Sequence, residues 1–544
     1  MPQEGLTPSG QPAAARFARV AVRHAVWLLV SFALLSVFPY YGRINNPNEN
    51  VRVWTVKAIV DRHELSINRV MQDWGYVNDK AVLDGHLYSS KAPGASFIGV
   101  PIYFVQRALV RTASAVFGRS GPSVAVSQRS MILALRLFGV GLPICVFLFF
   151  FARYIERLTG SGAARDLLVV GLGLGSMLYP YGVIFVGHGV AAALAFSGFM
   201  MLSSESAVEP RPSRLAWAGA LVGLSVMFEY QVILAAVILA GYAVARHRWD
   251  ARYFLLGTLP PALALAAYHT ALFGRPWDFP LGHLENPEWA RLHNNVRFFG
   301  LRPPSPTVIG TILFSVGLGL FIFSPFLAIG LFGSVALLFW TGSSEASRAR
   351  AAKPEAAVIL GVTAAMVLFL AGVPNWRSGW CVGPRYIVVV APFLAAGIAF
   401  YWRRTRQTFA LSVITAGLAI PSVVLNVVSG AVYPHYPEPF DNPVFDLTLP
   451  LLNAGYVPYS LGWWLGLPGL WSLVPLAAAT ILALSIGLGR PDLRPRRWAL
   501  HSALAVAIAS TYLLLLSCYG RAPNPAEARA AAFVRSTWEP PPRR

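Results

Sequence analysis

The clearest pattern in the chain is a series of apolar runs separated by short, arginine-rich connectors. A membrane-spanning helix needs about 20 apolar residues to cross a hydrocarbon core of about 30 Å. Two runs are longer than one simple span. The first is interrupted by Glu229-Tyr230-Gln231, and a turn is predicted there because a mid-bilayer carboxylate is strongly unfavourable. The second contains Ser324-Pro325, which predicts a break. The runs are 24–41, 131–151, 167–186, 188–204, 215–246, 253–273, 307–341, 356–373, 386–400, 408–430, 470–489 and 499–517.

The orientation follows from the basic connectors, because loops rich in Lys and Arg stay on the cytoplasmic side. All the basic connectors fall on one side if residues 215–246 cross twice, which gives about thirteen crossings. The polar loops then share the opposite, extracytoplasmic face. These loops are 42–130, 274–306, 374–385 and 431–469.

This topology predicts an all-α polytopic membrane protein with one membrane domain over residues 24–517. Residues 1–23 are predicted to be a cytoplasmic segment, and residues 518–544 a poorly ordered Pro- and Arg-rich tail. The stretch from Ala92 to Val110 is apolar but contains Pro93-Gly94 and Pro101, so we interpret it as a helix lying on the membrane surface.

Composition supports a membrane protein and narrows its function. The chain is 56% hydrophobic and 12% charged, with a mean hydropathy of +0.54, whereas soluble domains have about 25% charged residues. The net charge of +20 is spread over connectors, which favours anionic lipid headgroups over nucleic acid as partners. The sequence contains no P-loop, nucleotide fingerprint or Gly-x-Ser-x-Gly motif, so ATP-driven work and covalent serine catalysis have no support.

The loop 42–130 holds an unusual share of the charged side chains. It contains six of the 24 acidic residues and three of the four lysines. A membrane protein that concentrates carboxylates and lysines in one extramembrane loop is predicted to carry out its chemistry there. The six acids are Glu49, Asp61, Glu64, Asp73, Asp79 and Asp84, and the three lysines are Lys57, Lys80 and Lys91.

Two carboxylates of this loop are the predicted catalytic residues. Glu49 follows the first span closely and is a candidate general base for an acceptor hydroxyl, with helix capping as the alternative role. Asp84 is predicted to orient Lys91 or to act as a second acid. A divalent metal ion is possible only if the loop brings Glu49 and Asp84 together.

Basic and aromatic residues are the predicted binding groups. Lys91 precedes Pro93-Gly94 at the start of the surface helix, where an ammonium suits a generic phospholipid or a specific lipid-phosphate donor. Arg385 heads a later span and is predicted to bind the same phosphate. The predicted substrate-binding residues are Arg52, His188, Trp376 and Trp380, with an interfacial role as the alternative for His188 and the tryptophans.

With these residues in view, the chain resembles bacterial polyprenyl-phosphate-dependent glycosyltransferases of the GT-C class, in particular protein O-mannosyltransferases and lipid A aminoarabinose transferases. The resemblance covers residues 24 to 430. It is carried by Asn48-Glu49 after the first span, by Lys91-Ala92-Pro93-Gly94 and by the segment from Trp380 to Tyr386. Those families have an Asp-Glu pair where this chain has Asn48-Glu49.

The resemblance implies a GT-C-like bundle of about thirteen transmembrane helices with surface helices in the first outer loop. It also implies a polyprenyl-phosphate sugar donor. The sugar would be transferred to a protein, lipid or polysaccharide acceptor on the extracytoplasmic face of the bacterial inner membrane. Glu49 would take the catalytic acid position, and Lys91 and Arg385 would bind the donor phosphate.

Two other classes stay open. A secondary transporter or lipid flippase would use Glu229 and the break at Ser324-Pro325, since transporters place ionisable groups at broken helices. A non-catalytic assembly scaffold would tolerate the loss of Glu49, Asp84 and Lys91.

Overall fold

The computed structural model describes residues 23–42, 46–117, 125–204, 210–294, 300–340, 346–405, 408–490, 493–520 and 525–538. The protein is mostly helical, as predicted. The predicted segment 1–23 and the end of the tail lie almost wholly outside these residues. In chain order the α-helices are α1 (Ala25–Leu35), α2 (Pro47–Lys57), α3 (Asn68–Trp74), α4 (Gly94–Val116), α5 (Gln128–Arg136), α6 (Leu142–Thr159), α7 (Gly162–Leu174), α8 (His188–Ser204), α9 (Pro212–Phe228), α10 (Ile233–His247), α11 (Ala251–Phe273), α12 (Pro287–Asn294), α13 (Pro306–Phe314), α14 (Leu320–Phe323), α15 (Leu327–Leu338), α16 (Ala346–Gly372), α17 (Val390–Thr405), α18 (Phe409–Val432), α19 (Leu449–Asn453), α20 (Leu461–Trp464), α21 (Val474–Gly487), α22 (Pro495–Ser517) and α23 (Pro525–Ser536). The short strands are β1 (Val37–Phe38), β2 (Lys80–Leu83), β3 (His86–Ser89) and β4 (Tyr459–Ser460).

Six helical segments of the described residues are long and apolar enough to cross a membrane, and several shorter apolar helices pack among them. The protein is therefore a multi-pass membrane protein, while the count of about thirteen crossings stays a prediction. The six segments are Gln128–Thr159, Tyr230–Phe273, Ala352–Gly372, Phe409–Val432, Gly469–Gly487 and Pro495–Ser517.

Both predicted interruptions are helix breaks in the structure. Helix α9 ends at Phe228, and Glu229 is extended, with φ −150° and ψ 114°, before a short 3-10 turn leads into α10. The second long run divides into α13, α14 and α15, and Ser324 caps α14 with φ −138° and ψ 62°. The Asn426 side chain donates a hydrogen bond of 2.6 Å to the carbonyl of Phe323, which is left without its helical partner at this break.

The four loops predicted to share one face do contact one another. Lys80 in the first loop forms an ion pair of 3.0 Å with Glu285 in the second. Asn46 contacts His435 of the fourth loop at 3.3 Å, and β1 pairs with β4 of that loop. Arg385, at the end of the third loop, acts electrostatically on His435. These contacts gather the polar loops into one layer.

Helix α4 is the predicted surface helix. It extends from Gly94 to Val116, contains Pro101, and is absent from the six candidate spans of the described chain. One side of the helix packs against α2, α5 and the end of α9, and Gly94 and Gly99 allow close approach because a Cβ at either position would meet a neighbour within 2.7 Å. Its other side exposes Phe104 and Leu109, as expected of a helix that rests on an apolar medium.

Basic connectors lie together at other helix ends. Arg23 and Arg165 both pair with Glu156 at 3.3 Å, which joins the residues before α1 to the end of α6 and the start of α7. Arg246, in the last turn of α10, pairs at 3.5 Å with Glu355 of α16. These contacts agree with the prediction that basic connectors share one side.

The tail differs from the predicted poorly ordered segment. Residues 525–536 form α23, and Trp538 is 4% exposed. Its indole packs edge-on against Tyr41 at 4.9 Å and donates a hydrogen bond of 3.2 Å to the carbonyl of Val457. Trp538 and the fully buried Val534 dock this otherwise Pro- and Arg-rich segment, because burying a large apolar side chain contributes about 1.5–3 kcal/mol.

Candidate functional site

Glu229 lies at the centre of a cluster of charged side chains in the polar layer. The helix break between α9 and α10 places it in the turn, where its carboxylate is 6% exposed. Arg52 donates a hydrogen bond of 2.8 Å from Nη2 to Oε1 of Glu229, and His188 Nδ1 lies 3.5 Å from the same oxygen. Gly187 lets the chain before α8 approach this closely, since a Cβ there would lie 2.6 Å from Oε1.

Arg52 comes from α2, one turn after Glu49, and is 1% exposed. Its Nη1 donates to the backbone carbonyl of Asn48 at 2.7 Å and to the Asn48 side-chain oxygen. Asn48, which stands where the resembling families have an acid, is therefore a support for Arg52. Nε of Arg52 is buried and has no hydrogen-bond partner in the described part of the chain.

Lys91 joins the cluster through a different acid from the one predicted. Its Nζ forms an ion pair of 3.1 Å with Asp79, which is 5% exposed. Asp84 lies in the exposed turn between β2 and β3, with φ 49°. The prediction that Asp84 orients Lys91 is wrong, because the hairpin pairs Lys80 with Ser89 and so places Asp79 beside the residues that follow β3.

Arg385 closes the cluster from the loop before α17. It lines a small, shallow pocket, whose empty volume is about 150 Å³ including its open side, together with His188, Glu229 and Tyr386. Within the described residues its buried Nε has no hydrogen-bond partner, and the same is true of Nε2 of His188. Lys91, Arg385 and Arg52 all act electrostatically on Glu229.

The cluster combines three fixed cations with two carboxylates. Arg52, Lys91 and Arg385 face Glu229 and Asp79, which leaves one net positive charge in a largely buried site. Burial raises the pKa of the Glu229 carboxyl, and the three cations act in the opposite direction. A partly compensated cationic site of this kind is suited to a ligand that carries one negative charge.

Glu49 lies outside this cluster, in an ion pair with Arg136 of α5. Arg136 donates from Nε to Oε1 and from Nη2 to Oε2 of Glu49, each at 2.6 Å. The N–H of Phe185 donates to Oε1 at 2.6 Å, and the Asn46 amide approaches Oε2 at 3.4 Å. Burial would raise the pKa of Glu49, but the charge and hydrogen bonds of Arg136 and the Phe185 N–H lower it.

Glu49 and Arg136 form part of a second pocket, whose empty volume is about 320 Å³ including its open side. Amide, imidazole and phenol groups line it. Burial lowers the pKa of His435 in this lining to about 4, against the opposing charge of Glu49. The lining residues are Tyr40, Tyr41, Gly42, Asn46, Glu49, Asn50, Gln128, Ile132, Arg136 and His435.

The segment between α7 and α8 connects the two pockets. Its Phe185 N–H donates a hydrogen bond to Glu49, and three residues later its His188 contacts Glu229. The predicted Trp376 is partly buried against the apolar core, and Trp380 packs edge-on against Phe533 of α23 at 5.9 Å. Neither tryptophan lines either pocket.

Of the predicted site residues, the structure brings together Arg52, Lys91, His188 and Arg385. A divalent metal ion shared by Glu49 and Asp84, which the sequence left open, has no geometric support: among the described side chains, no group of three His, Cys, Asp or Glu is placed to hold an ion. Sequence reasoning missed Asp79, Arg136 and His435 and assigned Glu229 to a helix turn. The carboxylate that interrupts an apolar run was the available signal for Glu229.

No family model matches the chain, and no curated protein does. Among solved structures, ArnT from Cupriavidus metallidurans bound to undecaprenyl phosphate has a TM-score of 0.43 at 15% identity, over 93% of this chain and 77% of that one. The apo form of ArnT has a TM-score of 0.40 at 17% identity, over 90% and 78% of the chains.

A third structure is the archaeal oligosaccharyltransferase AglB from Archaeoglobus fulgidus, in complex with an inhibitory peptide and a dolichol-phosphate. Its TM-score is 0.38 at 11% identity, over 78% of this chain and 57% of that one. The chain is thus similar to GT-C class proteins, the class that the sequence resembles. With TM-scores below 0.5, these similarities carry no part of the functional argument, which rests on the side chains.

Proposed function

We propose that this protein is a membrane glycosyltransferase that transfers a sugar from a polyprenyl-phosphate-linked donor to an acceptor hydroxyl on the extracytoplasmic face. The observation that carries the proposal is the convergence of Arg52, Lys91, Arg385 and His188 in one buried cluster. Three buried nitrogens there, in Arg52, Arg385 and His188, have no partner among the described residues.

Such groups are unfavourable when unpaired, since a buried unsatisfied donor costs about 1–3 kcal/mol. Phosphate oxygens would accept hydrogen bonds from both guanidinium groups, and Lys91 would add a point charge. The same cations would stabilise the phosphate as it leaves the sugar, because charge that develops in a buried site is strongly stabilised by fixed cations. The sugar–phosphate bond supplies the driving force, so the reaction needs no nucleotide.

Glu49 fits a positioning role better than the predicted role of base. A carboxylate has about four lone-pair positions, and those of Glu49 face Arg136 twice, Phe185 N–H and Asn46. A base needs a free lone pair and a pKa near the working pH. We propose that Glu49 and Arg136 hold the segment carrying Phe185, and through it His188, against the cluster.

A transporter or flippase is the second candidate, because Glu229 lies at a helix break as transporter sites often do. The alternatives make different products. A transporter would move the lipid-linked sugar or its substrate across proteoliposomes without forming a glycosidic bond, whereas the transferase consumes the donor and releases polyprenyl phosphate.

The test is donor consumption by purified protein in lipid nanodiscs, with undecaprenyl-phosphate-linked sugars and extracted envelope acceptors, read by mass spectrometry. We expect Arg385→Gln to reduce turnover by at least tenfold through a higher KM for donor. Arg377→Gln, which removes a positive charge from the same loop, is the matched control and should keep wild-type turnover. Equal turnover in both variants, or sugar translocation without transfer, would refute the proposal.

A further inference from the structure

Glu229 is surrounded by groups from every element packed against its turn. Arg52 approaches from α2, His188 from α8, and Gln231 from the turn itself, with its amide 3.5 Å from Oε2. Arg385 and Tyr386 lie across the small pocket, and Lys91 acts from the segment before α4, where it pairs with Asp79.

The two oxygens of Glu229 are not equivalent. Oε1 accepts the 2.8 Å hydrogen bond from Arg52, whereas the contact of Oε2 is the long one with Gln231. Oε2 therefore keeps lone-pair capacity beside the pocket that Arg385 lines, in contrast to both oxygens of Glu49. A proton acceptor must have such a lone pair within reach of the substrate hydroxyl.

The charge of the lipid phosphate changes during the reaction. A polyprenyl-phosphate sugar is a phosphodiester with one negative charge, which the single net positive charge of the cluster balances. The product is a phosphate monoester, whose charge is about −1.5 to −2 at pH 7. The product therefore needs one more positive charge, or one less negative charge, from the protein around it.

We propose that Glu229 is the proton acceptor of the transfer reaction and that its neutralisation keeps the charge of the site balanced as the lipid phosphate becomes a dianion. This inference rests on the proposed function and names the base within it. The acceptor oxygen forms a bond to the anomeric carbon, and the bond from that carbon to the phosphate oxygen breaks, with its electron pair left on the phosphate. The hydroxyl proton moves to Oε2 of Glu229.

The total charge of the cluster and its ligand is the same before and after the reaction. Before transfer, Glu229 and the donor carry one negative charge each. After transfer, Glu229 carries none and the phosphate carries two, so no net charge appears in a buried site, where it would be costly. Release of the product then requires Glu229 to return its proton to water.

The experiment compares Glu229→Gln with wild type in three measurements on nanodisc-embedded protein. Turnover should fall by at least 100-fold in the variant, since general base catalysis contributes about 10²–10⁴-fold. Affinity for the product, polyprenyl phosphate, should be retained or increased, because the variant imitates the protonated state. Retained product binding also shows that the variant is folded.

The third measurement is the pH dependence of product binding between pH 7 and 9, above the second ionisation of the phosphate near pH 6. Wild-type affinity should weaken as pH rises, because the dianion binds best with Glu229 protonated, and Glu229→Gln should show a flat profile. Glu355→Gln, a buried carboxyl at the opposite helix ends, is the matched control and should behave like wild type.

The outcomes separate the two proposals. Wild-type turnover in Glu229→Gln, or an unchanged pH slope of product binding, overturns the role of Glu229 while the transferase assignment stands. A wild-type protein that neither consumes donor nor binds polyprenyl phosphate overturns the proposed function itself.

Discussion

The pairing of Lys91 with Asp79 gives a prediction with a defined sign and size. Replacing Lys91 with Gln removes one cation from the phosphate site and leaves Asp79, which is 5% exposed, without the 3.1 Å partner that balances it. The net charge of the cluster falls from one positive charge to zero. Donor binding should weaken for two reasons: a lost contact with phosphate and a new repulsion from Asp79.

The lost contact is a hydrogen bond to a charged group, worth about 1.5–3 kcal/mol, which corresponds to about 10- to 150-fold in Kd. The repulsion adds to this, on the order of 1 kcal/mol or more. Removing the Asp79 charge as well should cancel the second effect. Donor Kd in Asp79→Asn/Lys91→Gln should therefore be at least fivefold lower than in Lys91→Gln alone, although still above wild type.

The assay is equilibrium binding of a polyprenyl-phosphate-linked sugar donor to wild type, both single variants and the double variant, analysed as a double-mutant cycle. Asp79→Asn alone should bind more tightly than wild type, since it leaves Lys91 unopposed. The reasoning fails if the double variant binds no better than Lys91→Gln, or if Asp79→Asn weakens binding. Asp84→Asn, in the exposed hairpin turn, is the matched control and should change neither value.

Three further predictions concern stability and order. Arg136→Gln leaves the charge of Glu49 buried and unpaired, so the free energy of unfolding should fall by about 3–5 kcal/mol. The Tm should be lower in this variant, and adding Glu49→Gln should partly restore it. An unchanged Tm would contradict the ion pair. The pKa of His435 lies at about 4, below the ordinary 6.5. As pH drops from 6.5 towards 4, the unfolded chain therefore binds a proton at His435 before the folded chain does, and the stability of the fold should fall. His435→Asn should flatten this part of the curve of Tm against pH, and an equally steep curve would refute the prediction. Trp538→Ala should make the C-terminal helix sensitive to trypsin, whereas Trp471→Ala, 68% exposed, should not; equal sensitivity would argue against docking.

Much of the cationic site could be predicted from sequence, because each member stands out locally. Lys91 is a rare lysine before a Pro-Gly turn, Arg385 heads a span, and Arg52 follows the first span. Positive-inside reasoning placed their loops on one face, and the loops do meet. Both helix breaks were predictable because a carboxylate and a proline are poorly tolerated in long apolar helices.

The errors have physical reasons. Choosing between Asp79 and Asp84 requires the register of a hairpin, and sequence does not supply that register. Glu49 and Arg136 lie 87 positions apart in the sequence. The residues around Glu49 therefore could not indicate that the hydrogen-bonding positions of its carboxylate are occupied. The tail was judged by its composition, whereas its docking depends on particular buried side chains, Val534 and Trp538.

The most direct test of the account is the affinity of the purified wild-type protein for polyprenyl phosphate compared with the uncharged polyprenol of the same length. The cationic cluster predicts at least tenfold tighter binding of the phosphate, and loss of that preference in Arg52→Gln/Arg385→Gln. Equal affinity for phosphate and alcohol in the wild-type protein would contradict the claim that these side chains bind a lipid phosphate.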